Sequence, residues 1–131
     1  MLFKKYILKF TQVTMTTCFV LLLLTMTGCE NKDPSSLKIY VRSASNELVA
    51  DAQVVIIGDV ESDPPTQPHV DTLKTNVSGF AAFPLDEYFE NAGEDNPLAY
   101  FDVLVKKNNM SGTEYVRCRT HMTAVKTVII Q

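Results

Sequence analysis

A surplus of positive charge is missing: 12 Lys and Arg stand against 15 Asp and Glu, for a formal net charge of -3 and a pI near 5.3. Without cations to neutralise phosphates, nucleic acid is not an expected partner. Catalytic signatures are missing too. No Gly-x-Ser-x-Gly elbow, glycine-rich phosphate loop, Cys-x-x-Cys or His-Glu-x-x-His occurs, so no enzymatic activity and no cofactor are expected. Tryptophan is absent, glycine occurs five times and cysteine three times. No apolar stripe recurs every 3.6 residues beyond the N-terminal segment, which argues against a helical domain. The 131 residues leave room for one small domain, and 46% hydrophobic content is too high for a disordered chain.

Charge is also missing locally. Lys4, Lys5 and Lys9 open the chain, and then no charged residue appears from Phe10 through Cys29, with Cys18–Leu24 the densest apolar stretch. A basic start followed by an apolar segment is the layout of a secretory signal, and the lysines place its N-terminus in the cytoplasm. Threonines at 11, 14, 16, 17, 25 and 27 dilute the segment. Its apolar core is therefore shorter than the roughly 20 residues a spanning helix prefers, which favours cleavage over a permanent anchor.

The segment ends Leu24-Thr25-Met26-Thr27-Gly28-Cys29, which resembles the lipobox of bacterial lipoproteins. The resemblance implies cleavage before Cys29, diacylglycerol on the Cys29 thiol and acylation, typically by palmitate, of the new amino group. Two or three acyl chains hold a protein on a membrane far better than one. The implied organisation is a lipoprotein signal peptide over residues 1–28, a polar tether over 29–36 and a folded domain over 37–131, exported to the bacterial cell envelope and lipid-anchored there. Removing residues 1–28 takes away three lysines and no acid, leaving 9 basic and 15 acidic side chains. Such a surface is repelled by anionic headgroups, so attachment must come from the lipid. Cys118 would be the last free thiol, so no intramolecular disulfide can form in the mature lipoprotein.

Beyond the tether, alternation with period 2 dominates. Leu37, Ile39 and Val41 share one face; Val54–Ile57 is apolar on both faces and reads as a strand covered on each side. Asp59–Pro68, with three prolines, reads as a long exposed loop. His69–Thr75, the turn Asn76-Val77-Ser78-Gly79 and the alternating Ala81, Phe83 and Leu85 read as a hairpin. Asp86–Asn96 is an acidic loop with room for a short helix. Leu98–Lys107 follows with Phe101, Val103 and Val105 on one face, then a turn ending at Gly112, then strands over Thr113–His121 and Ala124–Ile130. The predicted fold is all-β: about seven strands in a sandwich of two antiparallel sheets, of transthyretin-like or Ig-like type.

From Leu37 to Gln131 these segments resemble carboxypeptidase-regulatory-like domains, which have a transthyretin-like fold. The resemblance rests on Leu37-x-Ile39-x-Val41, Asn46–Ile56, Thr75–Phe83 and Tyr100–Lys106. It implies a noncatalytic accessory or binding module that takes a protein partner or a glycan. Enzymes of related fold need a close pair of histidines or a Tyr-Arg-Gly-Ser terminus, whereas here His69 and His121 lie far apart and the chain ends Ile129-Ile130-Gln131.

Two constellations offer alternatives. Asp59, Glu61 and Asp63 crowd one loop and form weak candidates for calcium, which favours clustered oxygens, although solvated acids explain them as well. A calcium-stabilised ligand-binding module is thus the second reading and a small envelope hydrolase the third. Cys118 with His121 suggests a nucleophile and base, but residues three apart on a strand point to opposite faces. Sharing a face with Val116, Cys118 reads as a buried, inert thiol.

Overall fold

In a computed structural model the described residues are 2–24, 28 and 33–131. The chain divides into two compact units, Met1–Asn31 and Lys32–Gln131. The first holds one helix, α1 (Leu2–Leu24), whose threonines turn their hydroxyls back onto the preceding turn: Thr14 to the Phe10 carbonyl at 2.6 Å, Thr16 to Gln12 and Thr17 to Val13 at 2.7 Å. This satisfies the polar groups that dilute the apolar segment. No described helix is long and apolar enough to cross a membrane.

The second unit is mostly strand. In chain order come β1 (Ser36–Ser43), β2 (Gln53–Gly58), β3 (Val70–Lys74), β4 (Phe80–Pro84), the short helix α2 (Asp86–Ala92), β5 (Leu98–Lys107), β6 (Met110–Arg119) and β7 (Thr123–Ile130). One sheet is ordered β4-β1-β7 and the other β3-β2-β5-β6. The seven strands in two sheets match the prediction. Two antiparallel sheets do not: β1 pairs parallel with β7, Leu37 opposite Ala124 and Val41 opposite Val128. Parallel neighbours need a long crossover, and here all of the domain between its first and last strands supplies it.

Alternation decides what is buried. Leu37, Ile39 and Val41 of β1, Phe83 of β4 and Val128 and Ile130 of β7 are fully buried, as are Val54 and Ile56 of β2 and Phe101 and Val103 of β5. These side chains come from both sheets and form one core, which α2 closes with Tyr88, Phe89 and Ala92. The sheets meet at one corner, where Ser111 and Gln131 exchange backbone hydrogen bonds at 3.2 Å. Gly112 allows that approach, since a Cβ there would lie 2.3 Å from the Ile129 carbonyl oxygen. The β5–β6 turn comes earlier, at Asn108 in left-handed conformation (φ 52°), with Lys107 paired to Met110. Gly112 is thus a strand residue and not the end of the turn.

Further expectations need correcting. β2 is not buried on both faces: Val54 and Ile56 are fully buried in the core, while Val55 is half-buried and Ile57 is 37% exposed. β3 and β4 form no hairpin ladder, as they belong to different sheets. Between them Thr75 is buried, accepting from Ala52 N–H at 2.9 Å and donating to the Val49 carbonyl at 2.8 Å, which binds the turn to the β1–β2 connection. The turn chemistry itself is as read: the Asn76 side chain accepts from Ser78 and Phe80 N–H, and Gly79 has φ 75°.

Ser35 and Ser36, read from the sequence as part of a polar tether, belong to the folded unit. Ser36 opens β1, and Ser35 is 2% exposed. Ser35 donates its N–H to the Asp86 carboxylate (2.7 Å), accepts from Leu85 N–H at its carbonyl (2.9 Å) and from His121 N–H at its hydroxyl (2.8 Å). A polar residue is buried there because every one of its polar groups is paired.

Candidate binding face

Cys29 lies outside the described residues, as do residues 25–27 and 30–32. The calcium candidates Asp59, Glu61 and Asp63 sit in the loop after β2, and that loop is less exposed than its prolines suggest. Thr66 is 2% exposed, its hydroxyl accepting from Tyr100 N–H at 2.8 Å, while Asp59 N–H donates to the Tyr100 carbonyl at 2.9 Å. The loop thereby continues along the start of β5 and satisfies backbone groups that β2 no longer reaches. Both Asp59 carboxylate oxygens are engaged, one by Glu61 N–H (3.0 Å) and the other by the Tyr115 hydroxyl (2.7 Å). Among the described residues no three His, Cys, Asp or Glu side chains are grouped to hold a metal.

Cys118 is 1% exposed, and burial pushes its thiol up to about 12. His121 occupies the exposed β6–β7 turn at φ 58°. One residue is thus in the core and the other on the surface. His69 lies edge-on to Tyr88 and Phe101, with ring centroids 5.3 and 6.0 Å away, and its buried Nε2 has no hydrogen-bond partner. The Tyr88 hydroxyl accepts from Gln67 N–H at 3.0 Å, and burial raises its pKa. These aromatic rings plug the end of the core beneath the loop.

A candidate face lies on the outer side of the β3-β2-β5-β6 sheet. The register sets Val70, Ile57, Asp102 and Tyr115 in one row across it, and Thr72, Val55, Leu104 and Thr113 in the next. Tyr100 stacks beside Tyr115, centroids 6.0 Å apart and planes 16° from parallel. The hydrogen bond to Asp59, with partial burial and the nearby Asp102 charge, pushes the Tyr115 hydroxyl up to about 12. That bond fixes the ring. Beside it lies an open depression of about 530 Å³, lined by Ile57, Asp102, Leu104, Thr113 and Tyr115 among others. Sequence reading overlooked Tyr100, Asp102 and Tyr115. Their signal was the same alternation that placed Phe101, Val103 and Val116 inward, read from its other side.

The opposite outer face differs. Lys38 sits over the Phe80 ring at 3.9 Å and near Tyr40 at 5.1 Å, and no carboxylate projects from this side of β1, β4 and β7. No protein-family model matches the chain, and no curated protein matches it.

Proposed function

We propose that this chain is a lipid-anchored protein of the bacterial cell envelope. Residues 1–28 direct export, Cys29 carries the lipid, and a noncatalytic sandwich of carboxypeptidase-regulatory-like, transthyretin-like type binds a protein partner or a glycan. The observation that carries the reading is the junction: a lysine-led, otherwise uncharged segment ends at Gly28-Cys29, and only a few residues separate Cys29 from buried Ser35. The cysteine therefore falls where a lipid can reach a bilayer without dragging the core with it. The anchor is tested by growing cells with labelled palmitate and fractionating them. Wild type is expected to carry label in the membrane fraction and Cys29→Ala to carry none; equal label in both would remove the assignment. Calcium in the Asp59 loop would share the carboxylate oxygens with the Tyr115 hydroxyl and the Glu61 N–H that already bond them, and a calcium-dependent rise in melting temperature would be its sign.

A further inference from the structure

We propose that the depression beside Tyr115 is a carbohydrate subsite, taking one or two pyranose rings of a neutral oligosaccharide; this rests on the binding-module reading and names its ligand. A pyranose has an apolar face of C–H groups and a rim of hydroxyls. The depression offers the complement. Tyr115, 46% exposed, presents a ring locked by Asp59 and backed by Tyr100, while Ile57 and Leu104 give an apolar floor. Asp102 is exposed, and among the described residues its carboxylate has no hydrogen bond or ion pair, leaving two oxygens free to accept sugar hydroxyls. Arg117, next outward along β6 and opposite Tyr100, adds a donor on the same face. Few of the local polar groups therefore need to lose an existing partner when a sugar binds.

Size and charge favour a small ligand over a protein. About 530 Å³ falls within the usual range of roughly 300–1,000 Å³ for small-molecule sites. A stable protein interface buries about 800 Å² per partner around a core depleted of charge. Here the apolar strip of Val70, Ile57, Val55 and Leu104 is bounded by Asp102 within its own rows and by Lys74, Gln53 and Lys106 in the next.

The test uses the full chain, purified in a non-glycosidic detergent, titrated calorimetrically with cellotetraose, chitotetraose and maltotetraose. Saturable binding to at least one is expected. Tyr115→Ala and Asp102→Ala should each weaken it about tenfold, as loss of a stacking ring or of a paired acceptor would, and Tyr40→Ala on the opposite face should leave it unchanged. Should Tyr115→Ala fail to fold, Asp102→Ala decides alone, since that carboxylate supports no other group. Absence of binding to all three sugars would overturn the proposal. So would binding that Asp102→Ala leaves intact, or self-association of the chain that Tyr115→Ala dissolves. Palmitate label retained without sugar binding would end this inference and leave the anchor standing; sugar binding without label would do the reverse.

Discussion

Phe83 and Phe80 lie three residues apart on β4 and carry opposite burdens. Phe83 is fully buried, so Phe83→Ala should cost about 3–5 kcal/mol in urea unfolding. Phe80 packs on the outer face against Tyr40 (centroids 5.4 Å) under the Lys38 ammonium, and its loss should cost about 1 kcal/mol. Equal losses would refute the inward register. At Cys118, a thiol held near 12 by burial should resist alkylation at pH 8 in the native protein and react once the protein is unfolded; rapid native labelling would contradict the packing. Asp51 is held below the ordinary carboxyl range by its hydrogen bond to Lys107 and then by Lys74. Its folded pKa is lowered, so its contribution is present above the unfolded value of 3.8 and lost as pH falls through the folded one. Asp51→Asn should therefore be less stable than wild type at neutral pH, with the difference vanishing in strong acid. The sign reverses for Tyr115: with a folded pKa raised to about 12, the stability it contributes is present below pH 10 and fades as pH rises towards 12. Its tyrosinate absorbance should appear late, and Asp59→Asn should bring it earlier.

Elements were legible where one face is buried and opaque where the partner is distant. Leu37, Ile39 and Val41 identify β1 because the period-2 face is continuous, and Phe101, Val103 and Val105 do the same for β5. Nothing local tells β1 that its neighbour is β7, because that pairing joins the two ends of the domain. Ile57 looked buried because apolar character cannot report whether anything covers it. Gly112 looked like a turn residue because the sequence cannot show the Ile129 carbonyl that it accommodates. The candidate face followed the same rule, with Tyr100, Asp102 and Tyr115 assembling only once β5 and β6 are in register. Ser35 was read as tether for want of any pattern, yet Asp86 at the start of α2 holds its N–H. Asp86→Ala should cost on the order of 1–3 kcal/mol in urea unfolding, since it leaves a buried N–H without its acceptor; no change would show that water replaces the carboxylate.

On the scale of the whole molecule, charge is segregated. The loop after β2 carries Asp59, Glu61 and Asp63, and the α2 segment carries Asp86, Glu87, Glu90, Glu94 and Asp95. Both lie at the end of the strands where the chain enters β1, joined by the hydrogen bond from Gln67 N–H to Tyr88. That end would be repelled by anionic headgroups, so the proposed attachment would have to come from the lipid. The proposed anchor is covalent: in the mature protein Cys29 would be the first residue and would carry the acyl chains. Intact-mass spectrometry of the protein extracted from membranes tests this in one measurement. The account predicts a chain beginning at Cys29 whose mass exceeds that of residues 29–131 by a diacylglycerol and, once the amino group is modified, a further acyl chain. A chain retaining Met1 with an unmodified Cys29 would contradict it.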